Sequence, residues 1–316
     1  MSALKLFEYM GCVENYIREE NAIMKFGFVT PYSEEALKLA KNIGFDGLEI
    51  FNDYDSPVNF EKLDVDGLKA VKERFDQNAV SVLTACCSIN LMDADPEKRQ
   101  RNIDYMKNVI KNVKYLGTNI ITTNTWGSLD VPAEESIPLF KESFSYIVKM
   151  AEDEGVKIAL ENCPHYVGFP LHVRNIGYSP EMMEALFYAV DSPALGIEYD
   201  PSHLVWLGID YLRYLRQFSH KLFAIHAKDT EILEEGLYKY GIIGKQIGKE
   251  SEWDAGWWRY RIPGWGQVKW QEIFKILYDI SYDGCIIIEH EDPVFDGEMR
   301  PQGLKMGLDY LKQYIL

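Results

Sequence analysis

Cysteine, long apolar runs and positive charge are all in short supply in this sequence. Its five cysteines are odd in number and contain no C-x-x-C pair, which argues against a disulfide framework and indicates a reduced, intracellular protein. No apolar run approaches the length of a membrane span, and the N-terminus lacks a basic-then-apolar signal pattern. We therefore expect a cytoplasmic protein that has no membrane partner.

Basic residues are outnumbered by acidic ones. The 33 lysines and arginines against 49 aspartates and glutamates give a formal net charge of −16. Such an acidic surface repels phosphate backbones, so nucleic acid is excluded as a partner. Hydrophobic residues, by contrast, make up 47% of the 316 residues, which is ample for one large core.

Short apolar runs alternate with longer amphipathic segments from Met24 onward. The runs have the length and the Ile, Val, Leu and Phe content of buried parallel strands. Strands are predicted at 25–29, 47–51, 80–85, 119–123, 157–160, 196–199, 223–226 and 285–289. Helices are predicted at 33–42, 65–76, 97–116, 137–154, 180–189, 209–218, 268–280 and 303–314. Eight strands, each followed by a helix, predict an α/β fold of the (β/α)₈ TIM barrel type over residues 24–316.

Two segments lie outside this repeat. Residues 1–23 form an N-terminal extension, either an extra helix or an extended start ahead of the barrel. Residues 230–267 form a long loop between the seventh and eighth strands. A connection of this length is usually functional or disordered, and four tryptophans argue against disorder. They are Trp253, Trp257, Trp258 and Trp265.

Polar side chains end the last four predicted strands. Catalytic groups of a TIM barrel come from the carboxyl ends of its strands. Three carboxylates and an imidazole in a poorly solvated cup would be unfavourable unless a cation neutralised them. Oxygen-rich ligation with one histidine favours Mn²⁺ or Mg²⁺, with Co²⁺ or Zn²⁺ as alternatives. The sequence therefore predicts one divalent metal held by Glu161, Asp200, His226 and Glu289.

The same residues stand in motifs that resemble the xylose isomerase-like barrel superfamily. The matching pieces are GFDGLE at 44–49, LEN at 160–162, DPSH at 200–203, IHAKD at 225–229 and IE at 288–289. They are most similar to the sugar epimerase branch, which includes D-tagatose 3-epimerase and inosose isomerases. The resemblance implies a metal on the four rim residues, acid/base roles for Glu161 and Glu289, and a substrate-oxygen contact for His203.

Two departures separate the sequence from neighbouring branches. All six histidines lie at or after His165, whereas the superfamily's three-metal DNA-repair endonucleases need histidines from earlier strands. Cys163 stands where xylose isomerase has a lysine, two residues after the first metal-binding glutamate, so hydride-shift machinery is not expected. We therefore expect a sugar isomerase or epimerase that transfers protons through an enediolate of a ketose or keto-sugar.

Two other function classes stay open. A lyase would use the same metal and base to eliminate a substituent β to a keto group, as in keto-glycoside or C-glycoside cleavage. The tryptophan-rich loop favours this class, because a bulky aglycone needs aromatic surface. A non-catalytic metal or sugar-binding barrel is the third class, and four intact ligand positions argue against it. Both a homo-oligomer and a second subunit are compatible with the sequence.

Four residues are weaker candidates for substrate contact, each with a structural alternative. His165 lies in the loop after Glu161 and could be a general base, a substrate contact or a solvated surface residue. Trp126 follows the fourth strand and could line the pocket or fill the core. Arg259 and Arg261 could clamp a phosphate or carboxylate, or they could be solvated surface arginines.

Overall fold

The structure is a computed structural model that describes residues 24–127, 131–167, 172–243, 247 and 256–315. The predicted N-terminal extension and Trp253 lie outside the described residues. None of the described helices is long and apolar enough to cross a bilayer.

Eight parallel strands form a closed barrel, as predicted. They are β1 (Lys25–Thr30), β2 (Gly47–Phe51), β3 (Ser81–Cys86), β4 (Ile120–Thr123), β5 (Lys157–Glu161), β8 (Leu195–Tyr199), β9 (Leu222–His226) and β12 (Cys285–Ile288). β12 pairs back to β1, which closes the ring. Each strand begins and ends within one residue of its predicted bounds.

Helices surround the barrel. Those between the barrel strands and after β12 are α1 (Glu34–Ile43), α2 (Val65–Gln77), α3 (Pro96–Asn112), α4 (Ile137–Glu154), α5 (Pro180–Ala189), α6 (Pro201–Trp206), α7 (Tyr211–Phe218), α8 (Glu234–Tyr240), α9 (Trp270–Asp279) and α10 (Arg300–Lys312). The predicted helix starts are confirmed by capping, because Ser33 accepts from Ala36 N and Ser179 accepts from Met182 N. The short helix α6 was not predicted.

The long connection between the last two barrel strands is not a structureless loop. Its two ends pair as an antiparallel hairpin of β10 (Asp229–Ile232) and β11 (Trp258–Arg261), with α8 between them. A second small hairpin, β6 (Tyr166–Val167) with β7 (His172–Val173), lies between β5 and α5. Both hairpins follow the carboxyl ends of barrel strands, so they lie on the side of the barrel where the rim residues are.

The GFDGLE segment at 44–49 contains the turn between α1 and β2. Gly44 ends α1 at φ +94°, a left-handed conformation that favours glycine. The Asp46 carboxylate accepts a hydrogen bond from Phe26 N at 2.8 Å and so ties the turn to β1. A Cβ on Gly47 would lie only 2.5 Å from Leu83 Cγ, so no side chain fits there. These contacts set where β2 enters the barrel.

The core has two parts. The larger part lies between the strands and the helices, and it includes Cys87, which is fully buried. A smaller cluster of Val29, Leu83, Ala224, Cys285 and Ile287 fills the barrel interior. Because side chains alternate along a strand, Ala224 and Ile287 share the inward face with the next residues but one, His226 and Glu289. The apolar interior therefore supports the polar residues at the rim.

Asp229 anchors the hairpin of β10 and β11, and its removal should cost much stability. Its buried carboxylate accepts hydrogen bonds from the backbone N–H groups of Thr230, Gly264 and Val268 and from the Trp270 indole, at 2.8 to 3.2 Å. Asp229→Ala would leave these buried donors without an acceptor. We expect it to lower the free energy of unfolding by roughly 3–5 kcal/mol in chemical denaturation.

The matched control is Asp309→Ala. Asp309 pairs with Lys305 on the surface of α10, with 58% of its side chain exposed. Its removal should change the free energy of unfolding by about 0.5 kcal/mol or less. Equal denaturation midpoints for the two variants would contradict the anchoring role of Asp229.

Candidate metal centre

The carboxyl ends of four neighbouring barrel strands bring the predicted ligands together. β5, β8, β9 and β12 follow one another around the barrel. One ligand atom from each of the four rim residues lies within 4.8 Å of the others: Glu161, Asp200, His226 and Glu289. His226 Nδ1 is 3.1 Å from Glu161 Oε1 and 3.3 Å from Glu289 Oε2. We call this group the rim cup.

The rim cup fits a divalent cation. Asp200 is completely buried, and its Oδ2 has no hydrogen-bond partner among the described residues. Asp200 Oδ1, in contrast, accepts from Ser202 N at 2.7 Å and caps α6. Buried carboxylate oxygens are normally hydrogen-bonded or bound to a metal. Oδ2 has only the non-hydrogen-bonded neighbours His203 Nε2 at 3.2 Å and Lys228 Nζ at 3.4 Å, so a cation in the cup would give it a ligand partner. Three carboxylates and one imidazole match the ligand types of Mn²⁺, Mg²⁺ and Zn²⁺ sites.

Lys228 lies against the rim cup and had no role assigned from the sequence. Its side chain is 1% exposed, and its ammonium contacts Glu289 and lies 2.9 Å from Glu291 Oε2 and 3.4 Å from Asp200 Oδ2. Burial alone would raise the pKa of Glu289, but the charges of Lys228 and His226 hold that pKa well below its ordinary value. The IHAKD motif contained this lysine and was the available signal.

Two buried glutamates lie directly below the rim cup. His226 Nε2 is 3.1 Å from Glu198 Oε1 and 3.4 Å from Glu49 Oε1. The hydroxyl groups of Thr84 and Thr122 donate to Glu49 at 2.5 and 3.2 Å. Burial and the nearby Glu49 charge raise the pKa of Glu198 well above its ordinary value. Carboxylates on one ring nitrogen orient the other nitrogen toward a metal, so this pair turns Nδ1 of His226 into the rim cup.

Glu49 and Glu198 could have been found from the sequence by one signal. Each is a charged residue inside a predicted strand that is otherwise apolar, GLEIF and LGIEY. Such a residue must find a partner inside the barrel, because an isolated buried charge is strongly unfavourable. The sequence does not say which partner, since Glu49 is far from Glu198 and His226 along the chain.

The loop after β5 places an aromatic pair beside the rim cup. The His165 backbone has φ +43°, and its ring centroid is 4.6 Å from that of Trp126. Trp126 in turn donates from its indole to Ser88 O at 2.8 Å. Asn124 Nδ2 donates to Glu161 Oε2 at 3.2 Å, so the end of β4 also reaches the rim cup. Substrate contact by His165 and Trp126 stays a prediction, and their position beside Glu161 is compatible with it.

A family model described as xylose isomerase-like TIM barrel matches residues 37–314. The chain belongs to this family. Its relative YfiH from Bacillus subtilis (strain 168) is 33% identical over 184 residues, which are 57% of this chain and 52% of that protein. The chain thus matches about half the length of YfiH. An inosose dehydratase from Clostridium beijerinckii is 22% identical over 276 residues, which cover 82% of this chain and 83% of that protein.

Solved structures of other proteins have a similar fold. The IolI protein with a bound zinc atom has a TM-score of 0.68 and 21% identity, covering 92% of this chain and 99% of IolI. D-psicose 3-epimerase from Clostridium cellulolyticum with D-tagatose has a TM-score of 0.65 and 16% identity, covering 92% of this chain and 99% of that chain. The fold of this chain is therefore similar to that of a sugar epimerase and of a zinc-binding protein.

The β10–β11 hairpin carries two arginines that were candidates for anion binding. Arg259 Nε donates to Glu231 Oε2 at 2.8 Å. Arg261 donates to the same oxygen at 2.9 Å and to Asp292 Oδ2 at 3.0 Å. Because both guanidinium groups have carboxylate partners and Arg261 is 5% exposed, the geometry favours a structural role. Substrate binding by Arg259 and Arg261 stays a prediction.

Two tryptophans at or directly before the start of β11 pack inside the protein. Trp257 and Trp258 are buried, and Trp258 stacks on Trp206 with ring centroids 4.8 Å apart. These two side chains therefore contribute to packing within the protein. Trp265, by contrast, is 47% exposed and packs edge-on against Phe295. The surface expected to hold a bulky aglycone is not formed by Trp257 and Trp258.

Proposed function

We propose that the protein is a divalent-metal-dependent sugar isomerase or epimerase that moves a proton on a ketose or keto-sugar. The observation that carries this proposal is the convergence of Glu161 and Glu289 on one point of the rim cup. A metal bound there supplies a positive charge that polarises a substrate carbonyl and acidifies the neighbouring C–H. Mn²⁺ is our first choice, with Mg²⁺, Co²⁺ and Zn²⁺ as alternatives.

The two glutamates of the rim cup come from strands that are not neighbours in the barrel. β5 and β12 are separated by β8 and β9 in the barrel, and His226 Nδ1 lies between the two carboxylates. In our proposal one glutamate removes the proton beside the carbonyl and the other returns a proton. A carboxylate on each side of a small substrate allows the proton to return to the opposite face, which inverts the carbon. Return to the neighbouring carbon would give an isomer instead.

Elimination is the second candidate, and the inosose dehydratase similarity favours it. It begins with the same proton removal but then expels a group β to the carbonyl. Glu291 contacts Lys228, which in turn contacts Glu289, and burial raises the pKa of Glu291 to about 7, so we propose Glu291 as the proton donor to a small leaving hydroxyl. The burial of Trp257 and Trp258 favours such a small leaving group over the bulky aglycone of a keto-glycoside or C-glycoside.

Product analysis in D₂O separates the two reactions. We expect the Mn²⁺-loaded enzyme, supplied with free ketoses and with an inosose, to give an epimer or isomer of unchanged composition. That product should carry deuterium at the carbon that lost its proton, as measured by NMR and mass spectrometry after the enzyme is removed. A product lighter by one water molecule would replace the isomerase with a dehydratase. No exchange with any of these substrates would reject both reactions.

A further inference from the structure

A buried series of hydrogen bonds connects the β10–β11 hairpin to the rim cup. Tyr260 Oη on β11 is 2.7 Å from His203 Nδ1 on α6. The Trp206 indole, also on α6, donates to Tyr260 Oη at 3.3 Å. All three side chains are buried. These hydrogen bonds place a residue from outside the barrel repeat in contact with a residue beside the rim cup.

The donor and acceptor in each of these hydrogen bonds follow from the chemistry of the side chains. An indole nitrogen is a donor only, so the Tyr260 oxygen accepts from Trp206. If His203 Nδ1 also donated to that oxygen, the Tyr260 proton would have no acceptor among the described residues, which costs about 1–3 kcal/mol for a buried group. Burial also raises the pKa of Tyr260 well above its ordinary value, which keeps the phenol protonated. Tyr260 therefore donates to His203 Nδ1.

The other nitrogen of His203 faces the rim cup. Nε2 is 3.2 Å from Asp200 Oδ2 and 3.9 Å from Glu161 Oε1. The ring is 2% exposed, and the 3.2 Å contact with Asp200 Oδ2 is not a hydrogen bond, so Nε2 has no hydrogen-bond partner among the residues that the structure describes. A ring that accepts at Nδ1 carries its proton on Nε2. His203 thus presents a buried N–H to the cup.

We propose that Tyr260 is a positioning residue that fixes His203 as the tautomer donating from Nε2 to a substrate oxygen. The ligand chemistry is a carbonyl or hydroxyl oxygen of a polyhydroxylated ketone, so the proposal rests on the proposed function. In this arrangement Tyr260 of β11 holds His203 by the ring nitrogen that faces away from the rim cup. Trp206 donates to the Tyr260 oxygen, and Tyr260 in turn donates its proton to the imidazole.

The tautomer can be measured in the full-length protein by ¹⁵N NMR with labelled histidine and Zn²⁺ as a diamagnetic metal. A His203→Gln variant assigns the His203 signals. We expect wild type to show a protonated Nε2 and an unprotonated Nδ1. In Tyr260→Phe the Nδ1 nitrogen loses its donor, and a mixture of tautomers should appear. A wild-type ring protonated at Nδ1 would overturn the proposal even if the variant did not fold.

Kinetics gives the second readout. We expect Tyr260→Phe to lower kcat/KM by about tenfold to a hundredfold, as for other outer partners of functional histidines, with Mn²⁺ affinity by calorimetry unchanged. Tyr214→Phe is the matched control, because Tyr214 is equally buried and its hydroxyl has no hydrogen-bond partner among the described residues. Unchanged kcat/KM and an unchanged tautomer in Tyr260→Phe would reject the positioning role. A wild type without sugar activity would reject the proposed function, whereas the NMR result would still report the tautomer.

Discussion

Asp200→Asn is expected to lose Mn²⁺ binding while keeping its fold. Asp200 Oδ1 caps α6 by accepting from Ser202 N, and an asparagine oxygen can make the same bond. The substitution removes the negative charge of the carboxylate whose Oδ2 faces the rim cup. We expect the Mn²⁺ affinity, measured by calorimetry, to fall about a hundredfold or more, since losing even an outer partner of a metal ligand costs 10–100-fold.

Asp210→Asn is the matched control for this substitution. Asp210 also caps a helix, accepting from Arg213 N at 3.0 Å at the start of α7, but it is not one of the rim-cup residues. Its variant should bind Mn²⁺ as tightly as wild type. If Asp200→Asn did so too, the rim cup would not be the metal site.

Removal of the metal should have an equally large effect on turnover. A bound cation contributes several kcal/mol of charge stabilisation, so a chelator should lower kcat by about 10³-fold or more. Added Mn²⁺ or Co²⁺ should restore it. Full activity of rigorously metal-free protein would reject the metal-dependent mechanism.

Glu161→Gln and Glu289→Gln are each expected to stop turnover. Loss of a positioned acid or base costs about 10²–10⁴-fold in rate, and each residue is also a proposed metal ligand. Exchange of the substrate proton with D₂O should be lost in at least one variant. Metal content must be measured in both, because a variant that keeps its metal but loses exchange identifies the proton-transfer role.

Glu152→Gln is the control for loss of a carboxylate elsewhere. Glu152 lies on α4 and accepts from Ser192 at 2.9 Å, apart from the rim-cup residues. We expect wild-type kcat from this variant. Near-wild-type turnover in either Glu161→Gln or Glu289→Gln would contradict the two-base scheme, even with the metal site intact.

The barrel and its rim were predictable because both depend on local patterns. Apolar runs of strand length alternate with amphipathic helical segments, and the strand bounds followed to within one residue. The rule that polar side chains end barrel strands then indicated which four residues meet. Helix α6 was missed because six residues are too few to show a helical period. The β10–β11 hairpin was missed because its strands are separated by α8 and pair only after the chain has returned.

The sequence by itself determined the fold, the family resemblance and the four rim residues, because strand length, side-chain alternation and strand ends are properties of neighbouring residues. Only the tertiary structure decided what lies behind the rim. His226 contacts Glu49 and Glu198 from other strands, and His203 contacts Tyr260 from the β10–β11 hairpin. These contacts depend on how strands tilt and close into a barrel, which brings together residues far apart in the chain. Burial then forces each polar group to find a partner there, and those partners orient the imidazole rings of His226 and His203.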